Sequence, residues 1–177
     1  MPRAALPNGP RIDDPIELLL ACHEKVRRFT SLSLKLQDHV ATQGADGQAA
    51  DAARAILRYF DVAAPLHHAD EDEDLYPALL GLADASLAQT IQRIQDEHQE
   101  LNRLWQACRP WLTRVSEAGS LADPGDVPPA PDAIGVFAAR YGQHAAQEEQ
   151  WLFPQAQRLS EAQRQAICAA MVARRTT

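Results

Sequence analysis

Two stretches decide the fold, and they repeat one pattern. The first is His67-His68-Ala69-Asp70-Glu71-Asp72-Glu73-Asp74-Leu75-Tyr76-Pro77. The second is His144-Ala145-Ala146-Gln147-Glu148-Glu149-Gln150-Trp151-Leu152-Phe153-Pro154. Both read His-x-x-x-Glu-acid-x-x-Leu-aromatic-Pro. A histidine and a glutamate four residues apart share one face of an α-helix, one turn from each other, so both can reach the same point. Imidazole with carboxylate suits a borderline first-row metal such as iron, manganese or zinc.

The sequence around these stretches is helical, with no segment of the period-two alternation that strands need. A first helix starts at Asp14-Pro15, an N-cap residue followed by a first-turn proline, and runs to about Thr42. The second spans about Gln48 to Tyr76 and stops at Pro77; its core face carries Ile56, Phe60, Ala63 and His67. The third opens at Ser86, with Gln89 completing a capping box, and runs to about Glu117. A Gly/Pro-rich loop follows. The fourth runs from about Asp132 towards Pro154, and Ser160 with Gln163 caps a short fifth helix ending near Arg175. Pro65 and Pro110 fall inside helices and are expected to kink them. The expected fold is all-α: an up-down-up-down antiparallel four-helix bundle with a short C-terminal fifth helix. It occupies residues 13–177 as one domain, after a disordered segment over 1–12.

The third helix shows the bundle seam most cleanly. Leu87, Ile91, Ile94, His98, Leu101, Trp105, Cys108, Leu112 and Val115 are spaced by fours and threes. The fourth continues the pattern with Ile134, Phe137, Tyr141, His144, Glu148 and Trp151. Polar residues thus stand where packing alone wants apolar ones. At ~1.5 Å rise per residue, His23 lies about 12 Å in from Pro15 and His67 about 15 Å before Pro77. His98 lies about 18 Å in from Ser86 and His144 about 15 Å before Pro154. In an up-down bundle these landmarks share one end, so one histidine per helix arrives at one level. A lone histidine on a seam is most often a satisfied core residue. Four at one level, two with a glutamate a turn later, would cost several kcal/mol each if buried unpaired, and a metal pair resolves that cost.

Composition narrows the rest. With 177 residues the chain fits one core. A net charge of −7 excludes nucleic acid as an expected partner, and no basic stripe marks a membrane surface. The N-terminus lacks the apolar region of a signal peptide. Cys22, Cys108 and Cys168 are too scattered for a disulfide framework or a Cys-x-x-Cys site, so the cytoplasm is the expected compartment.

The first-helix histidine, the two His-x-x-x-Glu repeats with their Leu-aromatic-Pro, and the third-helix histidine together resemble the hemerythrin-like family, the HHE cation-binding domain. The resemblance covers about Asp13 to Arg175. It implies a non-haem di-iron centre in which His23, His67, His98 and His144 are terminal ligands and Glu71 and Glu148 bridge the two irons. His23 and His67 would serve one metal, His98 and His144 the other, with an oxo or hydroxo bridge between them. Zinc or manganese can replace iron in recombinant material. Oxygen carriers of the family place two histidines a turn apart on the third helix; here Ile94 and Asn102 flank His98 at those positions. Carriers also use an aspartate five residues after the fourth-helix histidine, where this chain has Glu149. Each metal is then left one ligand short of six.

Other residues have weaker claims. His68 is expected about a hundred degrees round from His67 and outside the ligand set, either supporting a ligand from behind or lying on the surface with Asp72 as a partner within reach. His39 lies about 24 Å along the helix from His23, too far to ligate. The acidic run 70–74 reads as a solvated face. Tyr141, one turn before His144, is a hydrogen-bond donor to a bound ligand or a packed core residue.

The expected function is a di-iron protein that binds or senses dioxygen, nitric oxide or peroxide without being a dedicated oxygen carrier. The alternatives are an oxidase or peroxidase-type enzyme, and an iron storage or delivery protein. Family members that repair iron–sulfur clusters carry a cysteine-bearing N-terminal segment, whereas the twelve residues ahead of the first helix here contain no cysteine. The Glu-x-x-His pairs of ferritin-like sites are absent: Leu20, Leu36, Ala64, Pro65, Gln95 and Tyr141 precede the six histidines by three. A zinc-protease His-Glu-x-x-His motif fails at Arg27.

Overall fold

A computed structural model describes residues 14–118 and 127–176. The segment 1–12 and most of the loop between the third and fourth helices lie outside the described residues. Among the described residues every regular element is helical. Helix α1 (Pro15–Gln43) begins as its sequence dictates, with the Asp14 carboxylate accepting the Ile16 N–H at 2.9 Å. It ends at Gly44, whose φ of 83° suits glycine and whose N–H bonds to the Val40 carbonyl. Helix α2 (residues 47–80) is capped by Asp46, which accepts the Ala49 N–H at 2.8 Å. Helix α3 is Ala85–Ala118. Its cap is Asp84 rather than the expected Ser86: the Asp84 carboxylate accepts the Ser86 and Leu87 N–H groups, each at 3.1 Å. Helix α4 (residues 133–152) passes into a 3₁₀ turn, Phe153–Arg158. Helix α5 (Glu161–Arg174) carries the expected Ser160–Gln163 capping box.

Each of α1 and α3 packs against both α2 and α4, which gives the square of an up-down bundle, and α5 closes one end against α1 and α2. No helix of the described residues is long and apolar enough to cross a membrane.

One proline departs from expectation. Pro77 does not end α2, which continues to Leu80. Instead the helix widens into a π turn over Asp70–Leu75, and the Tyr76 N–H bonds five residues back to the Glu71 carbonyl. Proline has no N–H and its ring crowds the carbonyl four residues behind, so a wider turn just ahead of it accommodates the ring. The same solution precedes Pro65, over Tyr59–Ala63, and Pro154, over Glu148–Leu152. Pro110, by contrast, sits within an α3 that remains α-helical throughout.

Each π turn adds a residue to the local repeat and moves the seam by one. Trp151, expected on the core face, is 52 % exposed, and Leu152 is fully buried in its place. On α2 the buried position is Ala64 rather than Ala63. Helix α3 has no π turn, and its predicted seam is buried from Leu87 to Val115.

The apolar core divides into two clusters. One surrounds Val26, Ile56, Phe60, Trp105, Leu112 and Phe137. The other joins Leu19, Leu75, Leu79, Ile91 and Leu152 to Ile167 and Met171 of α5. The polar layer lies between them, because His23 falls between Leu19 and Val26, and His98 between Ile94 and Leu101.

Candidate metal centre

The four histidines and two glutamates singled out by the sequence meet in that layer. His23, His67, Glu71 and Glu148 are fully buried, and His144 and His98 nearly so. The histidines form two pairs, with ring centroids 4.9 Å apart for His23–His67 and 4.8 Å for His98–His144. Between the pairs sit the carboxylates, and each divides its oxygens. Glu71 Oε1 lies 3.5 Å from His67 Nε2 and 3.9 Å from His23 Nε2, while its Oε2 lies 3.6 Å from His98 Nε2. Glu148 Oε2 lies 3.1 Å from His23 Nε2, while its Oε1 lies 3.3 Å from His144 Nε2 and 3.6 Å from His98 Nε2. His23, His67, Glu71 and Glu148 each bring one donor atom within 4.8 Å of the others.

The donor atoms are poorly satisfied by the protein itself. Among the described residues, His23 Nε2, both ring nitrogens of His67, both oxygens of Glu71 and Glu148 Oε2 are buried without a hydrogen-bond partner. Buried polar groups are ordinarily paired, and leaving one unpaired costs about 1–3 kcal/mol. Nitrogen and oxygen donors converging in a buried layer fit a first-row cation.

The local electrostatics of the metal-free chain agree. Burial, reinforced by the Glu148 charge, holds the Glu71 carboxyl well above its usual range. Burial acts the same way on Glu148, yet the His144 charge and the close imidazoles of His144, His23 and His98 outweigh it and hold that carboxyl well below its usual range. Burial and the neighbouring His23 push His67 down to about 3. Burial also opposes protonation of His98, but Asp72 and Glu148 prevail and raise it to about 9.

Three further acids orient the imidazoles from outside. His23 Nδ1 lies 2.8 Å from Glu149, His98 Nδ1 2.9 Å from Asp72, and His144 Nδ1 3.1 Å from Glu97. Such a partner fixes the tautomer and turns the other nitrogen inward. Each of these acids is the chain neighbour of a central residue on one helix and reaches the histidine of the next. Asp72 follows Glu71 and crosses to α3, Glu97 precedes His98 and crosses to α4, and Glu149 follows Glu148 and crosses to α1. The circuit is open at His67, whose Nδ1 has no such partner among the described residues. Arg27 Nη2 holds Glu149 at 2.7 Å. The sequence signal for this layer was an acid beside a site residue in each case, but only the fold assigns its target.

Other expectations are corrected. Asp72 pairs with His98, so His68 is not its partner. His68 is only partly buried and turns towards the bundle interior: its ring stacks on His98 at 4.0 Å, and its Nε2 lies 2.8 Å from the Tyr141 hydroxyl. His68, His98 and His144 each place a nitrogen within 4.8 Å of the others. The run 70–74 is not a plain solvated face. Asp70 is fully buried and bonds Arg174 and Arg175, each at 2.5 Å, and Arg174 also holds Glu73 and Asp74. Tyr76, which the sequence reading passed over, donates to Glu148 Oε1. His39 pairs with Asp46 at 3.1 Å, away from the site as expected.

A family model described as the hemerythrin HHE cation-binding domain matches residues 14–156. The chain belongs to this hemerythrin HHE family. The match encloses all six central residues, so cation binding is a property of the family and of the segment that builds the layer. A similar protein from Haemophilus influenzae, described only as uncharacterized, is 33 % identical over 138 residues, covering 77 % of this chain and 76 % of the relative.

Proposed function

We propose that this HHE domain holds two irons and binds or senses a small ligand at them, namely dioxygen, nitric oxide or peroxide, and is not a dedicated oxygen carrier. The observation that supports two ions is the way Glu71 and Glu148 each present one oxygen to each imidazole pair. One ion would take His23 and His67, the other His98 and His144, with both carboxylates shared. That gives each ion four protein donors, fewer than octahedral iron takes, which leaves room for exogenous ligands. When bound, the metals supply Lewis-acid and redox chemistry. The chain's own residues do the rest. Glu149, Asp72 and Glu97 set which imidazole nitrogen faces inward. Tyr76 holds Glu148 by donating to its Oε1. The apolar clusters above and below shield the layer along the bundle axis.

Anaerobic ferrous loading tests the reading, with elemental analysis followed by optical spectra on exposure to oxygen. Two irons per chain are expected. A stable oxygenated band identifies a binding protein, rapid autoxidation without one a sensor, and sustained peroxide turnover an enzyme. One iron per chain at saturation refutes the shared carboxylates.

A further inference from the structure

A cleft of about 400 Å³ opens beside the second histidine pair. Phe60, Trp105, Phe137, Tyr141, His68 and His98 contribute to its lining. Its volume falls within the range of pockets that hold organic ligands, and exceeds more than tenfold the roughly 30 Å³ share of a water molecule, which is close to what a diatomic needs. The apolar side is aromatic. Phe60 packs on Trp105 at 5.0 Å and on Phe137 at 4.9 Å, and Phe137 on Tyr141 at 5.5 Å. Such a side favours a flat ring, which gains edge and face contacts that a puckered molecule of equal size does not. The polar side is the His68–Tyr141 pair, joined at 2.8 Å. A phenolic oxygen both donates and accepts, so Tyr141 keeps hydrogen-bonding capacity after engaging His68. Asp72 and Glu73 also line the cleft, and the chain carries a net charge of −7, so an anionic ligand is disfavoured.

We infer that this cleft takes a small, uncharged, planar ring bearing a hydroxyl, a ligand of the phenol class, seated between the Phe60–Trp105–Phe137 wall and the His68–Tyr141 pair. The inference deepens the proposed small-ligand function by naming an organic ligand beside the second histidine pair. It rests on the cleft itself and not on metal occupancy.

The probe is phenol, titrated by calorimetry and by the fluorescence of Trp105, which lines the cleft. Both metal-free and zinc-loaded protein are used. Saturable binding with a Kd on the order of 1 mM or tighter is expected for phenol. Benzoate and cyclohexanol should bind at least several-fold more weakly. Tyr141→Phe should weaken phenol about fivefold. Ala69→Phe, which fills the cleft, should abolish saturation; Asn102→Trp does the same from an exposed lining position should the first variant fold poorly. Absence of saturable phenol binding overturns the inference, as does equal affinity for benzoate or undiminished binding in a folded cleft-filled variant. Phenol binding in a protein that takes up no metal pair sinks the proposed function and leaves the cleft assignment standing. A metal pair without phenol binding does the reverse.

Discussion

Replacing Glu149 with alanine separates a residue that holds a metal from one that aims a ligand. Glu149 Oε1 lies 2.8 Å from Nδ1 of the fully buried His23, and its own position is fixed by Arg27 at 2.7 Å. It contacts none of the inward-facing nitrogens, so Glu149→Ala should leave two metals bound per chain at saturation. What it removes is the partner that fixes the tautomer of His23. Loss of such a partner costs about 10- to 100-fold in metal affinity. The Glu149 side chain is 27 % exposed, and solvent weakens the contact, so the lower part of that range applies. About 10- to 30-fold corresponds to roughly 1.4–2 kcal/mol. With free metal well above both dissociation constants, the same free energy appears as lost stability, a melting temperature lower by about 3–8 °C. Arg27→Ala should cost no more than about threefold, because that arginine is only half-buried and acts one step removed. Competition against a chromophoric chelator with cobalt or zinc measures affinity, and elemental analysis measures stoichiometry. Loss of a metal in Glu149→Ala, or affinity equal to that of the unaltered protein, refutes the reasoning.

Glu148→Ala should reduce uptake of both metals together, because its two oxygens face different imidazole pairs; elemental analysis that finds one site full and one empty contradicts the shared role. The metal-free protein should lose stability between about pH 6.5 and 9. The folded state holds His98 at about 9, above its ordinary 6.5, so the stabilisation is complete below the ordinary value and gone once pH passes the folded one. Glu71, also raised, acts in the same direction, and Asp72→Asn should shrink the slope measured by denaturant titration across that window. The double variant Arg174→Ala with Arg175→Ala strands the buried Asp70 and should cost about 3 kcal/mol, read as a fall of roughly 6–12 °C in the metal-free melting temperature. A shift below about 2 °C would show that Asp70 finds another partner.

Much of the centre was legible in the sequence because its spacing is tied to helix geometry. One histidine per helix at a common level, with Glu71 and Glu148 a turn on, needs only rise and cap positions to be placed. The helix starts were equally local, since Asp14 and Ser160 cap through bonds within three residues. What escaped depends on which helix faces which. Asp72 had a sequence-local candidate in His68, but the bundle gave it His98 across the interface. Asp70 looked like one of a run of exposed acids until α5 folded back over it with two arginines. Trp151 was misplaced for a different reason: a constant helical period was carried through a turn that does not keep it.

The π turns have a consequence for how the helices tolerate length changes. A π turn is, in effect, an α-helix with one residue inserted, and two of the three coincide with the glutamate-bearing segments Asp70–Leu75 and Glu148–Leu152. Deleting a single residue downstream of either glutamate would restore the ordinary α repeat and leave every side chain beyond the cut facing its present neighbours, whereas the same deletion in a straight α-helix turns everything beyond it by about 100°. Helices α1 and α3 hold no such spare residue. A residue-for-residue comparison of α2 or α4 with a straight helix of another bundle would therefore require a gap at the metal layer. In this architecture the glutamate segments behave as length buffers: on α4 the turn lets the His-x-x-x-Glu face the centre while Leu152, four residues past Glu148, still reaches the core below.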